Sequence, residues 1–461
     1  MKSIFYLLIS VLYPLSIFAQ KTAKPMVMLQ VEGSWQVYDT DGKLCWKDAS
    51  ETLKNPRGYA NGLFCASLYK ANSPTSSPKY RQFLLNDKGD IAWSPKLGDV
   101  DYSISTPPDA LGFALLTNRE NGAGFICDKS GKMVSPEKEG LKYLGNGIIA
   151  TALPPDPEKF DNQFFTFYDL TTKKVLFETF AYFVHDLKEG IICVETKEAE
   201  NDNLMVKTFL NLKGEVIIPP QYFAAIEGDE APFFKDGLIF LKNKTGISVF
   251  NKLGKKLFDK PVFDAKMMGK TLIKVQEIEN NYFQIFKTDG SNLNEESYDE
   301  VGDVNENGVF YVKKAGKFHL MNTEGKTIKA DLDYEQAFTS KTHIFLSKTA
   351  SNYDVLDKNG LKTGNFKSDT LTNAPFGLTI FALNKQKGVI NSEGKVVLKP
   401  ANLDEIDVQE DYILTRVRTA DDGMNFSFYS KEGKLLLDDI MTKLKSNWIM
   451  PIAPKEFYIS Y

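Results

Sequence analysis

Histidine, cysteine and tryptophan are all scarce in this 461-residue chain, with three, four and four copies. His185, His319 and His343 stand far apart, and none has a second ligand at useful spacing, so a histidine-based metal centre or catalyst is not indicated. Cys45, Cys65, Cys127 and Cys193 also lack metal-ligand spacing. Each lies in an apolar strand pattern and reads as a buried free thiol, with Cys45 and Cys65 the only sequence-near pair for a disulfide. Neither sign of charge is in excess: 56 basic and 60 acidic residues give −4, in mixed order. Composition therefore offers no basic face for nucleic acid or anionic lipid. Gly-x-Ser-x-Gly, a phosphate loop and His-Glu-x-x-His are all missing. No stretch of ten or more residues carries a helical period.

Long apolar runs are confined to the N-terminus. Met1-Lys2 is followed by an apolar run from Ile4 to Phe18, then a small-residue exit through Ala19 to Gln20. This reads as a secretory signal peptide over residues 1–19, too short and wrongly flanked for a stable span. No Cys follows the cut, which argues against a lipid anchor. The expectation is an exported chain, periplasmic or extracellular, with no membrane insertion after cleavage.

What the sequence has in abundance is one turn. Asp/Asn-x-x-Gly recurs with its glycine at Gly42, Gly89, Gly131, Gly214, Gly254, Gly290, Gly325, Gly360, Gly394 and Gly433. Thr172 takes the same place in one further copy, and neighbouring turns lie 34 to 47 residues apart. Such a period means a repeat array. Five residues before the turn glycine stand Val37, Leu84, Ile126, Phe167, Phe209, Val249, Ile285, Leu320, Val355, Val389 and Phe428. Four before it, every residue is again apolar or aromatic, from Tyr38 to Tyr429. Successive strand residues point to opposite faces, so these strands are buried on both sides and sheet must stack on sheet.

Three before the glycine, nine of eleven copies hold Asp or Asn, whose side chains accept backbone N–H groups two residues on. Lys follows the glycine in six copies, from Lys43 to Lys434, as edge protection. Each unit then reads as a short connector strand, a Gly-led strand, the doubly buried strand and a proline-ended strand. That is a four-stranded antiparallel meander of propeller-blade size.

Gly33-Ser-Trp-Gln-Val-Tyr-Asp-Thr-Asp-Gly-Lys43, Gly316-Lys-Phe-His-Leu-Met-Asn-Thr-Glu-Gly-Lys326 and Asn211-Leu-Lys-Gly-Glu-Val-Ile-Ile-Pro-Pro-Gln-Tyr222 carry a resemblance. From about residue 30 onward the chain resembles the WG-repeat family of bacterial β-repeats. The defining Trp-Gly pair is intact nowhere; its Trp place holds Trp35, Phe165, Phe283, Phe318, Tyr353 and Phe426. The resemblance implies a repeat scaffold and carries no catalytic residues.

The fold expectation is all-β, with about eleven propeller-like blades in two rings or one open superhelical array. The turn spacing shortens after Gly254, which divides the chain into arrays over residues 20–243 and 244–461. The terminal segment Glu456–Tyr461 reads as a closing strand or cap. Asp39-Thr-Asp-Gly42 has the start of a calcium loop but is one of the turns. Glu295-Glu296 and Asp438-Asp439 are adjacent acids that face opposite ways on a strand. Pro154–Pro157 and Asn72–Pro78 are inter-unit loops. Trp46 and Trp93 read as core packing; Trp448 has no such explanation. No catalytic, cofactor or metal residue is therefore nominated. The functional expectation is a non-enzymatic, monomeric scaffold binding a protein or glycan partner. The alternative is a polysaccharide hydrolase or lyase with carboxylates converging in a central channel.

Overall fold

The computed structural model describes residues 25–451, apart from internal stretches of which 49–53, 70–79, 155–161, 198–203 and 225–232 are among the longest. Residues 1–24 and 452–461, with the signal segment and Glu456–Tyr461, lie outside the described residues, as do Asn72–Pro78 and most of Pro154–Pro157. Among the described residues, eleven antiparallel sheets follow one another along the chain, eight of four strands, two of three and one of two. They are numbered 1 to 11 here in chain order. Sheet 5 shows the expected unit, with strands Phe183–Val184, Ile191–Lys197, Leu204–Asn211 and Val216–Ala224 paired in sequence. In sheets 3, 6 and 7 the fourth strand shrinks to isolated pairs such as Cys127↔Met133, Phe250↔Lys256 and Phe286↔Asn292.

The doubly apolar strand behaves as its pattern demands. All eleven residues five before the turn position are at most 2 % exposed. Of the residues four before it, seven are buried, and Tyr38, Tyr168, Phe286 and Tyr429 are half-buried. The Trp-place residues Trp35, Phe165, Phe318 and Tyr353 are likewise buried, filling space between sheets. The turns are pinned as the Asx chemistry predicts, with one bond more. Asn251 Oδ1 accepts from Leu253 N–H and also from Lys255 N–H, both at 3.0 Å, and Asn391 holds Glu393 and Lys395 identically.

Each hydrophobic cluster joins two consecutive sheets. Met28, Trp35 and Val37 of sheet 1 meet Ala66, Phe83 and Leu85 of sheet 2. The same pairing continues sheet by sheet to Val389 and Leu398 of sheet 10 against Ile406 and Ile413 of sheet 11. Tyr412, Leu414 and Phe428 of sheet 11 then pack on Val27 and Leu29 of sheet 1. Strand Ser446–Pro451 pairs with Pro25–Val31 and fills the first-strand place of sheet 1. Sheet contacts thus close into a single cycle, in place of two rings or an open array.

The expected boundary at 243/244 falls between the two paired strands of one hairpin, Leu238–Asn243 and Gly246–Asn251. Clusters on both faces of that hairpin join sheet 5 to sheet 6 and sheet 6 to sheet 7. The spacing change records connection length. Sheets 8 and 10 use tight two-residue hairpins at Ala315-Gly316 and Asn384-Lys385, whereas the chain from Tyr69 to Tyr80 in sheet 2 is far longer. The closing strand is Ser446–Pro451, upstream of the segment expected to close the fold.

Candidate functional site

The sheet 4 to sheet 5 junction has almost no loop. Strand Lys174–Ala181 ends sheet 4, and Phe183–Val184 opens sheet 5 one residue later. Tyr182 N–H donates to Glu195 O at 2.6 Å, which fixes the crossing. Ala181 and Val184 turn inward and are buried. Phe180, Tyr182 and Phe183 turn outward, exposed by 38 %, 39 % and 42 %. Three exposed rings within four residues are unusual, because each leaves apolar surface in water.

Neighbouring groups order these rings. Phe164 meets Phe180 edge-on at 5.1 Å. Lys142 Nζ, from the first strand of sheet 4, lies 3.3 Å from the Phe183 centroid and donates to Val184 O at 3.0 Å. Lys197 Nζ lies 4.0 Å over Tyr182. Both are cation–π contacts. Cross-strand register aligns Phe183, Glu195 and Lys207 in one row. Glu195 Oε1 accepts from His185 Nε2 at 2.9 Å and from Lys207 Nζ at 3.1 Å. His185 also meets Phe183 edge-on at 4.8 Å.

The electrostatics follow from that geometry. Burial pushes the Glu195 carboxyl up, but the His185 hydrogen bond and the His185 and Lys207 charges outweigh it and hold it below the usual range. Burial lowers Lys142, against the pull of Asp186 and Glu195. The Cys193 thiol is pushed up to about 12 by burial and by Glu195. A carboxylate held ionised is a weak base and a protonated thiol a poor nucleophile. The cluster sets the cations of Lys142 and Lys197 beside the faces of Phe183 and Tyr182.

Glu195→Gln tests the electrostatic anchor. Removing the charge breaks the 3.1 Å ion pair with Lys207 at a site only 17 % exposed, costing about 2 kcal/mol at neutral pH. The folded-state value is depressed, so the stabilisation is complete above the unfolded value near 4.5 and fades as pH falls through the lower folded value. Urea midpoints of the two proteins should therefore converge on acidification below about pH 4. A gap that stays constant down to pH 2.5 would remove this role for Glu195.

Other residues singled out in the sequence are placed elsewhere. His319 Nδ1 accepts from Asp331 N–H at 3.4 Å, and His343 pairs with Thr342. Asp39 Oδ1 accepts from Asp41 and Lys43 N–H, as a turn does. Glu296 holds Lys314, and Asp438 and Asp439 accept from Ser427 and Asn425. Trp93 is buried between sheets 2 and 3, and Trp46 packs beside the cluster of sheets 1 and 2. Trp448 pairs through its backbone with Gln30 in the closing strand. All four cysteines are free thiols, three of them buried and Cys45 half-buried. Among the described residues no group of three or more His, Cys, Asp or Glu side chains could hold a metal ion. Among them, too, no helix is long and apolar enough to cross a membrane.

The aromatic triplet was visible in the sequence as Phe-Ala-Tyr-Phe, yet its exposure was not. The turn repeat carries no information on the burial of connector residues. His185 and Glu195 lie ten residues apart and meet only through strand pairing.

Fold and site together define an all-β repeat protein of stacked antiparallel meanders. Residues 208–244 match the family described as WG containing repeat, a stretch that includes the Asn211–Tyr222 segment on which the resemblance rests. No curated protein matches the sequence. Similar solved structures include BamB from Moraxella catarrhalis, at 12 % identity and TM-score 0.29, covering 81 % of this chain and 90 % of that one. The uncharacterized protein lmo1340 from Listeria monocytogenes EGD-e gives 11 % and 0.31, with 77 % and 93 % covered. A eukaryotic initiation factor gives 9 % and 0.41, with 94 % and 99 % covered.

Proposed function

We propose that this chain is an exported, non-enzymatic β-repeat scaffold of the cell envelope that binds a protein or glycan partner. The Phe180, Tyr182 and Phe183 ledge supports this reading. Its rings combine apolar area with low side-chain entropy, the property that makes aromatics binding anchors. Lys142 and Lys197 hold two of the rings in place before a partner arrives, which lowers the cost of association. Export rests on the N-terminal segment, with its charged start, apolar run and small-residue exit.

A pull-down from envelope extract and a glycan-binding screen, both with the mature chain, test the proposal. Tyr182→Ala with Phe183→Ala should weaken any saturable interaction by more than tenfold, about 1.4 kcal/mol or more. Cleavage of polysaccharide with no saturable binding would sink the scaffold reading.

A further inference from the structure

One position repeats where the sheets begin. Among the described residues, the residue before the first strand donates its N–H to the carbonyl opposite that strand's first position in sheets 5 and 7 to 11. These donors are Tyr182, Phe263, Asp299, Glu335, Asp369 and Asp404. Four of the six are acids. Asp299 Oδ2 accepts from Gly316 N–H at 3.5 Å, Asp369 Oδ2 from Asn384 N–H at 2.7 Å and Asp404 Oδ2 from Arg418 N–H at 2.5 Å. The acid thus caps the hairpin that joins the second and third strands of its own sheet.

Sheets 5 and 7 depart from the acid. Tyr182 is 39 % and Phe263 59 % exposed, so each gives up a hairpin cap and leaves apolar surface in water. Sheet 5 is compensated from its neighbour. Asn162 Oδ1, beside the third strand of sheet 4, accepts from Lys197 N–H at 3.1 Å, the hairpin place that Asn384 and Arg418 hold in sheets 10 and 11. Both departures gather a second ring. Phe183 adjoins Tyr182 in sheet 5. In sheet 7, Glu277 N–H donates to Tyr282 O at 3.1 Å, which sets Phe263 and the 44 % exposed Tyr282 on either side of half-buried Glu277. A break in a repeated local rule is the mark of a functional site.

We propose that these two ring pairs bind one glycan chain, its sugars stacking on Tyr182 with Phe183 and on Phe263 with Tyr282. Two like sites at one position of the repeat match a ligand whose own units repeat. The sites stand two sheet-to-sheet steps apart, on the order of 20 Å, a gap that an oligosaccharide spans and a disaccharide does not. Anchors for a protein are sheltered in desolvated, well-packed pockets. These rings instead stand open beside Lys197, Asp264 and Glu277, polar groups suited to the hydroxyl edges of a sugar whose apolar face covers a ring. The proposal rests on the ledge as a partner site and commits that partner to a glycan.

Calorimetric titration of the full mature chain with chitohexaose and cellohexaose, and with the corresponding disaccharides, is the test. At least one hexasaccharide should bind saturably, and its disaccharide at least about tenfold more weakly, because only the longer chain engages both sites. Tyr182→Asp and Phe263→Asp restore the residue class of the repeat. Each should keep the melting temperature while weakening the hexasaccharide at least about tenfold. Phe263→Ala should read the same loss without a new charge, whereas Asp299→Asn, at the same position of sheet 8, should leave binding unchanged. The proposal fails if neither hexasaccharide binds, or if both Phe263 variants bind like the wild type. If Tyr182→Ala with Phe183→Ala instead loses a protein captured from envelope extract while no sugar binds, the ledge stands and the glycan falls.

Discussion

Gly254→Ala and Gly433→Ala should each cost at least about 3 kcal/mol of stability, against about 1 kcal/mol for Gly190→Ala. All three glycines have positive φ, at +73°, +85° and +84°, so the backbone penalty is shared. The difference lies in the preceding sheet. A Cβ on Gly254 would stand 1.9 Å from Ile217 O, and one on Gly433 1.9 Å from Val397 O, while Gly190 has no atom within 4 Å. Both oxygens belong to strand backbone, Val216–Ala224 and Val396–Ala401, and cannot rotate away as a side chain would. A methyl group there must push one sheet off the next, which disturbs the clusters between sheets 5 and 6 or between sheets 10 and 11. Equilibrium urea unfolding of the three variants measures the contrast. Equal losses at all three sites would reduce the glycine to a conformational requirement only.

That contrast also marks the limit of what the sequence could say. The turn motif carries the glycine and its φ requirement, because both are local. The close approach depends on the preceding repeat, as at Gly42, whose Cβ would lie 2.8 Å from Leu436 O across the closure of the cycle. Burial of Val37 through Phe428 was legible for the same local reason: two apolar residues in succession leave no face for water. Closure was not legible, since hydrophobic pattern says that sheets stack without saying where stacking stops. Spacing was misleading there, because loop length varies at little thermodynamic cost while the sheet interface stays constant. The ledge was hidden for a third reason. Whether Phe180, Tyr182 and Phe183 are covered depends on the path between two sheets, and no periodicity encodes that path.

Ending the chain at Lys443 should open the cycle. Strand Pro25–Val31 then keeps its pairing with Ser34–Asp39 but loses the five paired positions it makes with Ser446–Pro451. Val27, Met28 and Leu29 are fully buried, so the sheet they anchor cannot simply lie open. The freed edge also exposes unpaired backbone groups to association with another strand. The expected loss is several kcal/mol, on the order of five net strand-pair hydrogen bonds, partly offset because Tyr412, Leu414 and Phe428 still pack against sheet 1. Proteolysis should begin in residues 25–47, and the truncated chain should self-associate more than the intact one. A peptide of residues 444–461 added in trans should restore both protease resistance and the melting temperature, because it supplies the same backbone pairing as an added strand. A truncated chain that melts with the full-length protein and ignores the peptide would show that the sheet 11 to sheet 1 packing closes the cycle unaided. Rescue by the peptide would instead place the closing free energy in main-chain pairing, the same interaction that shapes every sheet of the fold.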